Sequence, residues 1–335
     1  MKVLVTGATG FIGGHLLPLL RDCGATIRAM IVPGEDDARL RTLGIEVMVG
    51  DVRSDESLQA AVEGVDAVFH LAGLLAARNL RQLLEINEVG TSKVAQACAN
   101  RTTPPVLLLV SSLAAAGPAP KGGPRTETDP PRPVSNYGHS KRAGELAAMR
   151  WAGRIPLTVV RPPMVFGEGD LNSRWLFLPI ARTGIHAVPG LQARSVSLIH
   201  VDDMCRALCL AAQRGERVEQ DDDGTAKGVY FLASENDLDY GELGQMMGAA
   251  VGRSRVRVVH APGWLGYCAA SAGELASRVF RRPTLFNVDK MREALAGDWT
   301  CSPARSEREL GFSVARTLPE RFAQTAQWYI DRGLL

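Results

Sequence analysis

From Lys2 to about residue 160 the chain alternates short apolar runs with helical patterns, and this alternation constrains the fold more than any other feature. KVLVTG leads into FIGGHLLPLLRDCG, TIRAMIV into DARLRTLG, EVMVGD into DESLQAAVEG, and DAVFHLAG into a helical stretch over about 80–100, after which comes VLLLVSS. Strands so continuously apolar are buried on both faces, as parallel strands are when crossover helices cover the sheet. The pattern predicts an α/β fold, a Rossmann-type doubly wound parallel sheet. A chain of 335 residues, 46% of them hydrophobic, is long enough to bury such a core.

After the fifth strand the punctuation changes. Residues 118–133 are rich in Pro and Gly and are expected to form a loop over a site rather than inside a core. SNYGHSKRAGELAAMRWA then reads as a helix and LTVVRPPMVFG as a strand and turn. Beyond Gly167 the pattern is irregular, with a strand expected near 195–200, a helix over about 202–214, a strand at 229–233 and C-terminal helices. Asp221, Asp222 and Asp223 read as a solvated loop, and no internal repeat is present.

The charge balance narrows the partners. With 38 basic and 36 acidic residues spread along the chain, the net charge of +2 shows neither a nucleic-acid footprint nor an acidic tail, so a small molecule is the expected partner. Cys23, Cys98, Cys205, Cys209, Cys268 and Cys301 contain no CxxC pair, and no stretch resembles a signal peptide, which points to a reducing, cytoplasmic setting. Cys205 and Cys209 stand one turn apart near His200, Asp202 and Asp203; two small residues on the buried side of a helix is the better reading, and no metal is expected. No run reaches the roughly 18 apolar residues that a spanning helix needs. The nearest, from Trp264 to Phe280, is interrupted by Glu274 and Arg278, and suits a helix that lines an apolar pocket or touches a membrane surface.

TGATGFIGG follows the first strand and opens the first helix, with Gly7, Gly10 and Gly13 spaced three apart. Such a turn allows close backbone approach, and the N–H groups at the helix start can hold a pyrophosphate at the positive end of the dipole. Gly50 and Asp51 at the end of the third strand strengthen the dinucleotide reading. At the end of the second strand an acid would accept from a ribose 2′-hydroxyl and an arginine would pair with a 2′-phosphate. Ile31 and Val32 do neither; Glu35, Asp36 and Asp37 follow, disfavour a phosphate and favour NAD over NADP, although Arg39 and Arg41 offer compensation and the segment is also an ordinary charged helix start. The expected organisation is an NAD(P)-binding Rossmann domain over 1–165 that includes the YGHSK helix, with a smaller, mainly substrate-binding region over 166–335 interleaved with it.

Tyr137 and Lys141 of YGHSK share one helix face, as any such pair does, and alone the spacing is that of surface decoration. Together with the glycines, GDV at 50–52, HLAG at 70–73, VSS at 110–112 and VRPP at 160–163, it makes the chain resemble the extended short-chain dehydrogenase/reductases over nearly its full length. SSLAAAGP and WTCSPARSERELGF are similar to the branch of 3β-hydroxysteroid dehydrogenases and dihydroflavonol-reductase-like enzymes. The resemblance implies Tyr137 as general acid or base, Lys141 as the cation that binds the nicotinamide ribose and favours the phenolate, and Ser112 as the group that holds the substrate oxygen. Asn87 would position its helix and a water behind the lysine, or else be a polar surface residue. Phe11 and Ile12 would lie over the pyrophosphate and Val32 beside the adenosine ribose. Asp51 and Val52 would flank the adenine, Leu71, Ala72, Gly73 and Ser111 line the ribose side, and Pro162 and Val165 border the nicotinamide. A homodimer through the helices of Asn87 and Tyr137 is also implied.

A free phenol has a pKa of about 10, so a neighbouring ammonium and the cofactor ring would be needed to lower it. Dehydratases of the superfamily place an acidic pair immediately after the position of Ser112; Leu113 and Ala114 stand here, so dehydration is disfavoured. Nucleotide-sugar epimerases usually carry an asparagine at the position of Met164 and a diphosphate-binding arginine at that of Val196, with Arg194 nearby as a substitute. Met164, Phe166, Trp175, Phe177, Trp264 and Tyr267 are each ordinary core candidates, yet together they suggest an apolar pocket for a steroid, terpenoid, polyketide or flavonoid-like alcohol or ketone. The expected activity is an NAD(P)-dependent interconversion of secondary alcohol and ketone; a nucleotide-sugar epimerase and a non-catalytic NAD(P)-sensing regulator are the alternatives. His186, His200 and His260 read as structural, and Arg161 is left unassigned.

Overall fold

In the computed structural model, residues 1–219, 227–234, 237–280 and 287–335 are described, without the side chains of 275–280. The solvated loop expected at Asp221, Asp222 and Asp223 lies outside them. The alternation in the sequence becomes β1 (Lys2–Thr6), α1 (Phe11–Asp22), β2 (Thr26–Ile31), α2 (Ala38–Thr42), β3 (Glu46–Val49), α3 (Asp55–Ala61), β4 (Ala67–His70), α4 (Leu80–Leu84), α5 (Thr91–Ala99) and β5 (Val106–Val110). Between α4 and α5 the helix continues as one π-turn, Glu85–Gly90. Then come α6 (Leu113–Ala116), α7 (Asn136–Met149), β6 (Leu157–Arg161) and β7 (Met164–Phe166).

Seven parallel strands form the sheet in the order β11-β6-β5-β4-β1-β2-β3, where β11 is Val229–Phe231. The strand order turns outward from the β1–β4 junction in both directions, so the crevice beyond the carboxyl ends of those strands is the topological switch point where doubly wound sheets bind ligands. The apolar strands feed two cores because their side chains alternate. Val3 and Val5 of β1 face one core with Leu16 and Leu20, while Leu4 faces the other with Leu58, Val94 and Ala148.

The rest of the chain builds a second lobe from α8 (Arg174–Thr183), β8 (Ile185–Pro189), β9 (Ser195–Val196), β10 (Leu198–His200), β12 (Leu238–Asp239), α10 (Tyr240–Ala250), β13 (Arg257–Ala261) and α11 (Gly263–Phe280). α12 (Val288–Ala296), α13 (Ala304–Leu310) and α14 (Leu318–Asp331) follow, and α9 (Val201–Arg214) returns to pack on α1. Here one expectation fails. Phe166 stacks on Phe322 with ring centroids 4.6 Å apart, and Phe177 meets Phe322 and Tyr329 edge-on, so both are core side chains rather than pocket lining. Trp175, Trp264 and Tyr267 are exposed and Met164 packs on the same core, so the six do not enclose one pocket. Period and composition do not reveal which side of an aromatic residue faces a cavity; the docking of α14 decides it.

The 118–133 loop is pinned at its middle. The Arg125 guanidinium donates to the Pro118 carbonyl at 2.7 Å and to the Pro130 carbonyl at 3.0 Å, while the Glu127 carboxylate accepts from the backbone of Phe231 on β11. Both side chains are buried, which fixes the loop beside the start of α7.

Candidate active site

Tyr137 lies in the first turn of α7, whose N-cap Ser135 accepts from the Gly138 N–H at 2.9 Å. Close approach of neighbouring backbone sets the helix position: a Cβ at Gly144 would clash with the Asn87 carbonyl and one at Gly138 with the Ala114 carbonyl. Tyr137 is buried and its hydroxyl lies beside the Ser112 side chain. Ser112 caps α6 and also accepts from the Ala114 N–H at 3.1 Å. One turn beyond, the Lys141 ammonium donates to the Val110 carbonyl at 2.8 Å, and burial pushes its pKa down to about 8.

Asn87 sits on the π-turn, buried. Its side chain accepts from the Leu74 N–H at 2.8 Å and donates to the Leu74 carbonyl at 3.0 Å and the Ser140 hydroxyl at 2.9 Å. It therefore ties the segment after β4 to α7, and the surface reading is excluded.

The phenol departs from expectation. Its pKa is pushed up to about 12, first by burial and then by the Glu293 carboxylate, with the Ser112 side chain opposing. A lysine four residues on is readable from the sequence, whereas the desolvation is not, because it depends on what covers the tyrosine. That cover is α12, which no motif announces. Asp289 accepts from the N–H groups of Asn136 (2.8 Å) and Tyr137 (3.3 Å), Glu293 accepts from the Ser135 hydroxyl, and the Lys290 ammonium stands 4.6 Å from the centre of the Tyr137 ring. A small cavity beside this contact is lined by Leu75, Ala76, Leu83, Asn136, Asn287 and Lys290, apolar on one wall and polar on the other.

The residues at the switch point fit a dinucleotide. Gly7 has a φ of 69°, and a Cβ there would stand 2.8 Å from the Ala72 nitrogen; at Gly13 it would stand 2.7 Å from the Gly7 carbonyl. The turn thus lies flat against Leu71 and Ala72. At Gly10 only the Gly7 carbonyl is within reach, which leaves the space outside the turn free for a ligand. The start of α1, at Phe11 and Ile12, has no side-chain cap, so its N–H groups offer an anion site. Among the described residues the buried Lys141 ammonium has one acceptor for three protons, which suits vicinal ribose hydroxyls. Gly73 opens the wall here, since a Cβ on it would lie 3.6 Å from the Lys141 ammonium.

Other expected contacts fall less simply. Ser111 is buried with its hydroxyl toward the Glu145 carboxylate, and Val52 packs its side chain against Gly90, so each faces protein rather than the crevice. Pro162 accepts from the Leu113 N–H through its carbonyl, and Val165 packs partly into the first core. Val32 is exposed at the crevice edge. Asp51 is ion-paired with Arg53 at 2.6 Å. Glu35 accepts from the Thr9 hydroxyl at 2.7 Å, Arg39 donates to the Gly14 carbonyl at 2.9 Å, and Arg41 pairs with Asp37 at 2.7 Å.

Two buried groups escape sequence reasoning. His70 bridges the hydroxyls of Thr6 (2.7 Å) and Thr91 (3.0 Å), and burial takes its pKa down to about 3, so it is a neutral strut for the HLAG turn. Arg161 forms a two-pronged ion pair with Glu145 of α7, at 2.8 and 2.7 Å. His200 caps α9 and contacts Glu168 at 3.0 Å, and Cys205 is buried on α9, as befits structural residues.

The sequence profile described as the NAD dependent epimerase/dehydratase family matches residues 3–224. The chain is 31% identical over 334 residues to the ceramide reductase of Caulobacter vibrioides (strain NA1000 / CB15N), with 99% of this chain and 96% of that protein covered. It is 29% identical over 345 residues to sterol demethylase protein B of Methylococcus capsulatus (strain ATCC 33009 / NCIMB 11132 / Bath), covering 100% of both. Among solved structures, the UDP-glucose 4-epimerase of Thermus thermophilus in complex with NAD has a TM-score of 0.75 at 20% identity, over 100% of both chains, a likeness of fold.

Proposed function

The chain belongs to the NAD dependent epimerase/dehydratase family, within the extended short-chain dehydrogenase/reductases, and from that premise we propose an NAD(P)-dependent oxidoreductase that interconverts a ketone and a secondary alcohol on a largely apolar, lipid-like skeleton. The observation that carries this reading is the buried Tyr137 hydroxyl beside Ser112, with the Lys141 ammonium one turn further along α7. The bound nicotinamide supplies the hydride equivalent in such chemistry. Tyr137 and Ser112 hydrogen-bond the carbonyl oxygen, and Tyr137 gives it a proton as negative charge develops there. Lys141 stays cationic below about 8 and steadies the phenolate left behind. Leu113 and Ala114, both buried and apolar, provide no acid for dehydration. The ceramide reductase and sterol demethylase relatives support a lipid skeleton.

A second reading, a nucleotide-sugar epimerase, is favoured by Arg194. Its Nε is buried without a hydrogen-bond partner among the described residues, and its guanidinium lies near Gly297, as does Pro118 of the loop beside α7. One screen separates the two. Oxo-ceramides and oxo-sterols should oxidise reduced nicotinamide stoichiometrically, read by its absorbance; no oxidation with any of them, together with conversion of a UDP-sugar to its epimer at unchanged nicotinamide absorbance, selects the epimerase.

For the cofactor, NAD is preferred to NADP. Glu35 reaches over the glycine turn to Thr9, and both arginines available for a 2′-phosphate are engaged, Arg39 by Gly14 and Arg41 by Asp37. Titration by fluorescence quenching should give at least about tenfold tighter binding of the NAD pair, about 1.4 kcal/mol. Equal affinities would defeat this assignment.

The protein forms a homodimer through the helical stretch that bears Asn87, from α4 through the π-turn to α5, and through α7. Support comes from Val89 on the π-turn and Leu146 on α7, 44% and 42% exposed on neighbouring helices. Sedimentation should give a dimer that Leu146→Lys dissociates, and a wild-type monomer at micromolar concentration would contradict it.

A further inference from the structure

The second lobe carries a surface that combines exposed apolar side chains with arginines. Residues 171–200 and 250–273 contain Arg174, Arg182, Arg194, Arg253, Arg255 and Arg257 and not one Asp or Glu, although the whole chain has 36 acids. β8 and β13 pair in parallel, with Ile185 opposite Arg257 and Ala187 opposite Val259. Side chains alternate across a strand, so these four share a face. All four are exposed, while His186 and Val188 turn inward. Gly190 and Gly263 both abut the Leu295 side chain, which brings the residues after them, Leu191 and Trp264, to one corner of the same lobe. Leu191 is 71% exposed and Trp264 64%, and Leu265 follows at 44%. The guanidinium groups of Arg182, Arg255 and Arg257 make no ion pair or hydrogen bond among the described residues.

We propose that this face, with Trp264, Leu265 and Leu191 at its corner and Arg182, Arg255 and Arg257 around it, docks on the surface of an anionic lipid bilayer. Exposed apolar side chains alone would serve a second copy equally well. The charge decides against it, because a symmetric contact sets each acid-free arginine cluster against its own image. A bilayer surface satisfies both features: indole and leucine enter the headgroup boundary while guanidinium groups meet lipid phosphates. No helix among the described residues is long and apolar enough to cross a membrane, so the contact is peripheral.

The placement also has a use. α11 starts at this corner and packs on α12, Gly266 against Met291, and α12 carries the Lys290 that stands over the Tyr137 ring. A lipid leaving the bilayer would meet the helix that covers the reacting tyrosine. The docking itself does not depend on the reaction assigned above and is measured without substrate.

The test is cosedimentation of the full chain with large vesicles of phosphatidylcholine alone or mixed with an equal part of phosphatidylglycerol. Binding is expected to the mixed vesicles, with release by salt. Each arginine near such a surface contributes about fivefold to partitioning, so Arg255→Glu with Arg257→Glu should weaken binding at least about tenfold. Trp264→Ser with Leu265→Ser should do the same, with cofactor fluorescence retained in both variants as proof of folding. On the unaltered protein, brominated phosphatidylglycerol should quench tryptophan emission. Failure of the wild type to bind, equal binding to phosphatidylcholine alone, unchanged partitioning of folded variants, or unquenched emission would each overturn the proposal, as would self-association through this face in the absence of vesicles.

Discussion

Replacing Tyr137 by Phe should lower turnover by about a thousandfold, within the range that positioned proton donors contribute, and leave cofactor affinity within about twofold. The ring of Tyr137 is held from outside by Lys290 and its helix by Asp289, neither of which needs the hydroxyl, so the variant keeps its packing. The pyrophosphate end, at Gly7 to Gly13, is equally untouched. What disappears is the phenolic proton beside Ser112. The pH profile of the unaltered enzyme follows from the same site. With the phenol at about 12, its proton is retained across the neutral range, so kcat/KM for carbonyl reduction should be level there. It should fall as pH rises past about 8, where the buried Lys141 loses its charge. A Phe variant with undiminished turnover would remove the proton route, and a profile that stays level far above about 8 would remove Lys141 from it.

How much of this site is readable in advance depends on whether a residue acts through its neighbours in sequence or in space. Of the six strands to Arg161, the central ones are legible because burial on both faces favours apolar residues at nearly every position, as Val3, Leu4 and Val5 show by feeding two cores. The glycines are legible because backbone approaching backbone leaves room for nothing else. Asn87 is found by motif, yet its π-turn has no sequence signature, since the residues from Glu85 to Gly90 suit an α-helix equally. Asp289, Lys290 and Glu293 stand about 150 residues from the tyrosine they cover, in an ordinary amphipathic helix. That distance in sequence is why the motif alone points to an acidified phenol: Lys141 is local and visible, while the burial and the Glu293 charge that raise the phenol's pKa arrive only with the tertiary structure.

The largest stability effect is expected at a pair that the motif leaves unassigned. Arg161 ends β6 fully buried and grips Glu145 of α7, also fully buried, through two hydrogen bonds, with Arg142 adding a third at 3.0 Å. Removing one partner of a buried pair strands the other charge, so Arg161→Met should cost about 3–5 kcal/mol in unfolding free energy. The pH dependence identifies the cause. Burial pushes the Glu145 pKa up, while Arg161 and Arg142 pull it down further, leaving it below the ordinary carboxylate value of 4.5 in the folded protein. A depressed carboxylate contributes stability above its unfolded pKa and loses it as pH falls through the folded one. In the variant the upward push loses its main opponent, so the folded pKa rises above the unfolded one, and the penalty grows as pH rises past the carboxylate range. The gap between the two proteins should therefore be widest at neutral pH and close on acidification as Glu145 takes up a proton. Adding Glu145→Gln to the variant should recover much of the loss at neutral pH, because no charge is then stranded. Denaturant unfolding at neutral and mildly acidic pH measures all three proteins. A deficit under about 1 kcal/mol, or one that is the same at both pH values, would mean that packing rather than charge holds β6 to α7.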